Sequence, residues 1–367
     1  MDETLLKREE RAVFALRALY RRYGYLPFKM SKFEEYELYA RNKDFLLSDR
    51  VITFTDLNGR LMALKPDVTL SILKNAEDRS GVKQKLCYDE SVFRPGSSLD
   101  GYREITQTGL ECIGDLDGYD IFEVVSLAVR SLETASESFV LEINHLGLLT
   151  ALLDELGAGE DVQKELARCV AGKNAHDLRR LARENGLCET AAERLCACMA
   201  VYGPVEESVG RLRAICGGEQ ARLALDELEQ LNRLLAQNGL NGNLVFDFSL
   251  VSDMKYYNGV VLRGYLPGVA ERVLAGGQYD KLMRRMGRRS RAIGFAVYLD
   301  QLEQAGAAGR GEDVDVLLLY GDETPPESVA AAVAAITAEG KSVSAQRAVP
   351  KGLRCGELRD LREGAAT

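Results

Sequence analysis

Polar and apolar residues alternate with a period of two along residues 102–113, YREITQTGLECI. Successive side chains of a strand point to opposite faces. Arg103, Ile105, Gln107, Gly109 and Glu111 therefore share one face, and Glu104, Thr106, Thr108, Leu110 and Cys112 share the other. A cation, an amide and a carboxylate stand in line on the first face, with Gly109 leaving room between them. That is the floor of a polar pocket, or the solvated face of an antiparallel sheet, which is also polar. Residues 85–94 supply the partner strand, across a turn rich in Gly, Ser and Asp at 95–101.

The same reading places further elements along the chain. Residues 4–22 have helical spacing, with Leu6, Val13, Leu16 and Tyr20 near one face and Gly24 and Pro27 ending the run. Residues 51–69 form a hairpin, VITFT and LMALK, around Asn58-Gly59, which suits the positive φ of a tight turn. Asp67 and Thr69 follow it and either line a site or cap a helix starting near Leu70. A helix over 118–131 leads to a strand at 139–144. From 146 to 241 Ala, Leu, Arg and Glu dominate at helical spacing, broken near Gly157, Gly186, Gly203-Pro204 and Gly217-Gly218. Strands return at 243–251, at 256–265 beside it through a turn at 252–255, at 275–279 and at 291–297, before a helix at 298–304. A linker at 304–313 precedes a short β-α-β tail expected to pack on the rest. The fold class is α+β, in three parts: a discontinuous core of 1–145 and 242–304, a helical insertion at 146–241, and a short α/β segment at 313–367.

The chain has 367 residues, 46% of them hydrophobic and 28% charged, as expected of a soluble globular protein. No apolar run approaches the roughly 20 residues that span a bilayer, and Met1 leads straight into charged residues with no signal peptide. A cytoplasmic chain without a membrane partner is expected. The net charge of −9 argues against a nucleic-acid partner, which calls for Lys and Arg to replace counterions. Eight cysteines contain no C-x-x-C pair, and there are two histidines. Small buried apolar thiols fit better than a metal centre.

The stretch FRPGSSLDGYREITQTGLE resembles motif 2 of class II aminoacyl-tRNA synthetases, in the histidyl branch. Five other segments follow in that family's order. Residues 24–34 (GYLPFKMSKFE) resemble motif 1, with Ser31 where a proline is usual, and 63–69 (ALKPDVT) resemble the substrate-binding segment. Residues 255–260 (KYYNGV), 276–280 (GGQYD) and 293–302 (IGFAVYLDQL) resemble the later pocket segments and motif 3. The resemblance implies a class II antiparallel sheet flanked by helices, dimerisation through motif 1, and a histidine pocket. It implies a ligand set of Asp67, Thr69, Arg94, Arg103, Gln107, Glu111, Tyr256, Tyr257 and Tyr279, in a pocket whose glycines at 276 and 277 let backbone approach the ligand.

The resemblance stops at the catalytic face. Where motif 3 carries a Glu-Arg pair, this chain has Asp300-Gln301, and a neutral amide cannot grip phosphate as a guanidinium does. Arg94 is followed by Pro95-Gly96 with no glutamate in the loop. Ser252 and Lys255 replace an arginine and an aspartate of the family pattern. The tail is too short for the complete anticodon-binding domain of a synthetase. A kept pocket with a dismantled catalytic face resembles the regulatory branch of this family, the regulatory subunits of ATP phosphoribosyltransferase. That resemblance implies no catalytic residue, cofactor or metal and no tRNA. It implies a homodimer inside a hetero-oligomer resembling a hetero-octamer, with the short catalytic subunit as partner and histidine as effector. An active histidyl-tRNA synthetase and another paralogue, an amino-acid ligase or interaction module, stay open as alternatives.

Overall fold

Two long strands, β5 (Gln84–Pro95) and β6 (Tyr102–Gly114), set the frame of the computed structural model. They pair antiparallel along their whole length, with Tyr88 opposite Gly109 and Arg94 opposite Arg103. The structure describes residues 8–46, 50–76, 81–95, 101–251, 256–304 and 312–362. Before the pair come β1 (Leu26–Pro27), β2 (Phe33–Glu35), β3 (Thr53–Thr55) and β4 (Leu61–Leu64). After it come β7 (Val140–His145), β8 (Tyr202–Pro204), β9 (Leu244–Asp247), β10 (Val260–Tyr265), β11 (Leu274–Gln278) and β12 (Arg291–Tyr298).

The main sheet has nine strands in the order β1-β5-β6-β12-β11-β10-β7-β9-β8. Every neighbouring pair is antiparallel except β1 with β5 and β7 with β9. The alternation in β6 sorts its two faces as expected. Leu110 and Cys112 join Leu16 and Tyr20 of the helix Arg8–Arg22 and Val124, Val125 and Leu132 of the helix Gly118–Ala135 in one apolar cluster. Ile113 faces the other way, into a second cluster with Tyr39, Leu70, Leu73, Tyr279 and Leu282. The candidate site opens on that second side. Leu6 lies outside the described residues. Pro27 does not merely stop the helix; it enters the short edge strand β1.

The helix Gly118–Ala135 starts where Asp117 accepts from the amides of Tyr119 and Asp120, while Asp120 reaches back to the amide of Asp117. That reciprocal capping box and an apolar stripe against the sheet explain its length. A smaller sheet, β2-β4-β3, carries the expected hairpin. Only Gly59 takes a positive φ, 79°; Asn58 does not. The Asp56 carboxylate accepts from the amides of Asn58 and Arg60, each at 2.8 Å, so the side chain of Asp56 does part of the turning. The small sheet is tied to β5 by Lys65, fully buried and paired with Glu90 at 2.7 Å.

Residues 146–241 are helical apart from β8, and their apolar side chains share one cluster with those of the sheet. The strand reading of 243–251 and 256–265 as neighbours is corrected. β7 stands between β9 and β10, parallel to the first and antiparallel to the second. A hairpin was the simplest reading of consecutive strands, but β7 offers both of its edges; the expected turn at 252–255 lies outside the described residues. Cys87, Cys112, Cys196 and Cys198 are buried as expected, whereas Cys188 is exposed.

The chain divides into two compact units, 1–305 and 306–367. The second unit has β13 (Val314–Leu319), the helix Pro326–Ala338, β14 (Val343–Gln346) and β15 (Cys355–Asp360). Its parallel sheet runs β14-β13-β15 around Val316, Leu318 and Ile336. The tail thus has a third strand beyond the β-α-β expected; CGELRD has too few β-branched or aromatic residues to signal one.

The capping box fixes one expected cost. Asp117→Ala should lower stability by removing the cap, seen as a lower urea midpoint at unchanged slope. An unchanged midpoint would contradict the assigned cap.

Candidate ligand pocket

Glu111 lies deep on the pocket face of β6 and is 2% exposed. One carboxylate oxygen accepts from Thr69 Oγ1 at 2.8 Å and the other from the Tyr279 hydroxyl at 2.5 Å. Thr69 sits in the first turn of the helix Val68–Asn75 and Tyr279 directly follows β11. The carboxyl therefore joins three elements. Burial pushes it up to about 8, against the pull of the two hydroxyls, and the nearby Asp67 adds to the rise. Gly294 of β12 stands in register with Glu111, and a Cβ there would collide with the carboxylate.

Asp67 holds the adjoining corner. It caps the helix Val68–Asn75 by accepting from the Leu70 amide at 2.9 Å and also lines the cavity. The two readings offered by the sequence are both realised by one side chain. Burial raises its carboxyl, while the Leu70 amide and the Arg94 charge oppose the rise. Arg94 is anchored by its Nε, which donates to the Pro66 carbonyl at 2.9 Å.

Tyr256, Tyr257 and Tyr279 form the aromatic wall, with ring centroids 4.7 Å apart for the first pair and 5.8 Å for Tyr256 and Tyr279. Burial keeps the phenols of Tyr256 and Tyr279 protonated, so each can donate. Gln107 is 3% exposed, and its Nε2 has no partner among the described residues. These side chains surround a cavity of about 60 Å³, several times the roughly 10–15 Å³ that one water needs.

Asp67, Thr69, Arg94, Gln107, Glu111, Tyr256, Tyr257 and Tyr279 all line this cavity. Arg103 does not: it is exposed on β6, opposite Arg94 in register and beyond the cavity. One expectation about glycine is corrected: the space at Gly109 is taken by the Phe295 carbonyl and the Tyr88 hydroxyl. A side chain at Gly276 would meet the Gly294 carbonyl and Phe295, and one at Gly277 the Val260 carbonyl and the Tyr257 ring. Tyr88, Arg272 and Tyr298 also line the cavity and lie outside the ligand set the resemblance implies. Tyr88 was findable, because a large residue opposite a glycine is a favourable cross-strand fit. Arg272 precedes β11 in a loop with no pattern to mark it.

At the motif 3 corner Asp300 accepts from the Thr106 amide at 3.2 Å. Gln301 lies in the helix Leu299–Gln304, with a buried Oε1 that has no partner among the described residues. Ser252 and Lys255 lie outside the described residues. The arrangement is amphoteric, with acid and phenol groups around Glu111 and donors at Gln107, Arg94 and Arg272. It suits a small ligand that carries both donors and acceptors.

The profile of the histidyl-tRNA synthetase family matches residues 1–302, and the chain belongs to that family. Within it, curated relatives that the chain resembles include ATP phosphoribosyltransferase regulatory subunits. The ATP phosphoribosyltransferase regulatory subunit of Clostridium kluyveri is 28% identical over 324 residues, 85% of this chain and 83% of that protein. The protein of the same name from Oceanobacillus iheyensis is 26% identical over 283 residues, 76% of this chain and 69% of that one. A crystal structure of an ATP phosphoribosyltransferase regulatory subunit/histidyl-tRNA synthetase from Bacillus halodurans C matches with a TM-score of 0.76 at 25% identity, covering 96% of this chain and 93% of the other. The class II synthetase-like fold read from the sequence is the fold observed. Among the described residues, no helix is long and apolar enough to cross a membrane.

The Glu111 carboxyl predicts a pH dependence. It holds its proton more tightly folded than unfolded, so its contribution is full below the ordinary carboxyl range and falls as the pH rises through about 8. Glu111→Gln cannot ionise and should gain in melting temperature relative to the parent between pH 5.5 and 8.5. A difference that does not change with pH would contradict the raised carboxyl.

Proposed function

We propose that this chain is a non-catalytic regulatory subunit of ATP phosphoribosyltransferase. In this reading it binds the short-form catalytic subunit, activates phosphoribosyl transfer to ATP at the first step of histidine biosynthesis, and passes histidine feedback to its partner. It acts as a homodimer within a larger hetero-oligomer, a hetero-octamer in the simplest form, in the cytoplasm. The ligand set proposed for histidine is the eight cavity-lining residues above; Arg103, exposed on the same strand, is left to the rim.

One contrast carries the reading. The buried floor of Glu111, Thr69 and Tyr279 is intact, while the helix after β12 offers the neutral amide of Gln301. Activation of an amino acid by ATP builds negative charge at phosphorus, and each preorganised group that offsets it is worth on the order of 10²–10³ in rate. A chain that keeps the pocket and lacks that guanidinium is suited to sensing a ligand rather than activating it. The names of its curated relatives support the same role.

A second reading, a working histidyl-tRNA synthetase, is favoured by Arg272, a guanidinium at the same cavity. The two separate in one set of assays. The regulatory reading expects co-elution with a short catalytic subunit, a rise of about tenfold or more in its turnover of phosphoribosyl pyrophosphate and ATP, inhibition by histidine, and no histidine-dependent ATP–pyrophosphate exchange. Exchange above background, or no co-elution and no change in turnover, would overturn it.

A further inference from the structure

We infer that Cys198 and Cys216 are a modification site, a dithiol that a peroxide converts into a disulfide joining two helices of residues 146–241. The inference stands on the placement of the two thiols and is independent of the ligand pocket.

The pair is built from two helix ends. Cys198 lies in the last turn of the helix Glu189–Met199 and is fully buried. Cys216 directly follows the helix Val205–Ile215, where the backbone turns extended, and it is half-buried. The two Sγ atoms stand 3.5 Å apart, and either thiol can donate to the other. A disulfide holds its sulfurs at about 2.05 Å, so these two need to approach by roughly 1.5 Å. Cys198 is held by its helix. Cys216 is followed by Gly217 and Gly218, both exposed, with Gly218 at a φ of 86°. Glycine gives the backbone there the freedom to make that shift.

The surroundings give the two sulfurs different tasks. The thiolate, not the thiol, is the nucleophile. The hydrogen bond from Cys198 holds the Cys216 thiol below its ordinary range, against burial and the Glu155 charge, and the Arg194 guanidinium helps. The same hydrogen bond, together with burial, pushes Cys198 up. Arg194 is fixed there by Glu155 at 2.7 Å, and a side chain at Gly217 would meet its guanidinium. The more accessible sulfur is therefore the one that ionises first, and the buried sulfur stands behind it. With hydrogen peroxide as oxidant, the Cys216 thiolate attacks one peroxide oxygen. The O–O bond breaks, and hydroxide leaves and takes up the Cys216 proton as water. The Cys198 sulfur then attacks the Cys216 sulfenic acid. The S–S bond forms, the S–O bond breaks, and hydroxide carries off the Cys198 proton as a second water. The two thiols together give up two electrons, and the peroxide is reduced. The bridge closes residues 198–216 into a loop that contains β8, the last strand of the main sheet.

Treatment of the full chain with hydrogen peroxide tests the site, read by thiol titration in denaturant and by peptide mass spectrometry without reduction. Two of the eight thiols should be lost. A Cys198–Cys216 linked peptide should appear, lighter by two hydrogens than its separate parts, and dithiothreitol should restore both thiols. Cys216→Ser should leave Cys198 reduced. Cys198→Ser should leave Cys216 as a sulfenic acid that dimedone captures. Cys188→Ser, which removes the exposed thiol, should still form the bridge. Cys198 and Cys216 both free after peroxide has consumed Cys188, or a bridge from Cys216 to another cysteine, overturns the inference. Should Cys198→Ser fail to fold, the linked peptide of the parent and its loss in Cys216→Ser decide the matter.

Discussion

A carboxyl group taken out of water must be paired, hydrogen-bonded or neutral. Glu111 meets that demand with two hydroxyl donors and a raised proton affinity, and much of the site is arranged around it. Thr69 can reach it because Asp67 starts a helix one residue before Val68. Tyr279 can reach it because β11 ends just before that residue. β12 passes close because Gly294 has no side chain. One buried acid thus fixes the relative placement of β6, β11, β12 and the helix Val68–Asn75.

The rest of the fold supports that arrangement from behind. The opposite face of β6 is apolar and packs on the helices Arg8–Arg22 and Gly118–Ala135, with Tyr20 edge-on to Phe295 at 6.0 Å. A well-packed sheet gives the pocket a rigid back wall. Lys65, buried against Glu90, holds the small sheet to β5 and so positions the buried Pro66 and Asp67 beside the pocket. Removing one member of such a pair leaves the other charge buried and uncompensated.

The candidate site was largely legible in the sequence because its floor is a strand. A period of two placed Gln107 and Glu111 together on one face and sent Leu110 and Cys112 to the other, and the structure keeps both assignments. Asp67 was legible as either a cap or a pocket residue, and local hydrogen bonding lets it be both. What failed was long-range or lay beyond pattern. Arg103 follows the right alternation but sits too far along β6, past the end of the cavity. Arg272 comes from a loop brought to the pocket by the pairing of β11 with β12, which no local signal records. The place of β7 between β9 and β10 depends on a parallel pairing across the helical residues 146–241, and consecutive order in the chain misleads there.

The central claim is that Glu111 is the anchor of a ligand pocket and not only a structural acid. Calorimetric titration of L-histidine into the parent protein and into Glu111→Ala, each shown folded by its circular dichroism, addresses it most directly. The account predicts saturable binding by the parent and a loss of about tenfold or more in the variant, as expected when a hydrogen bond to a buried charged or chargeable group is removed. Equal binding by both proteins would contradict it.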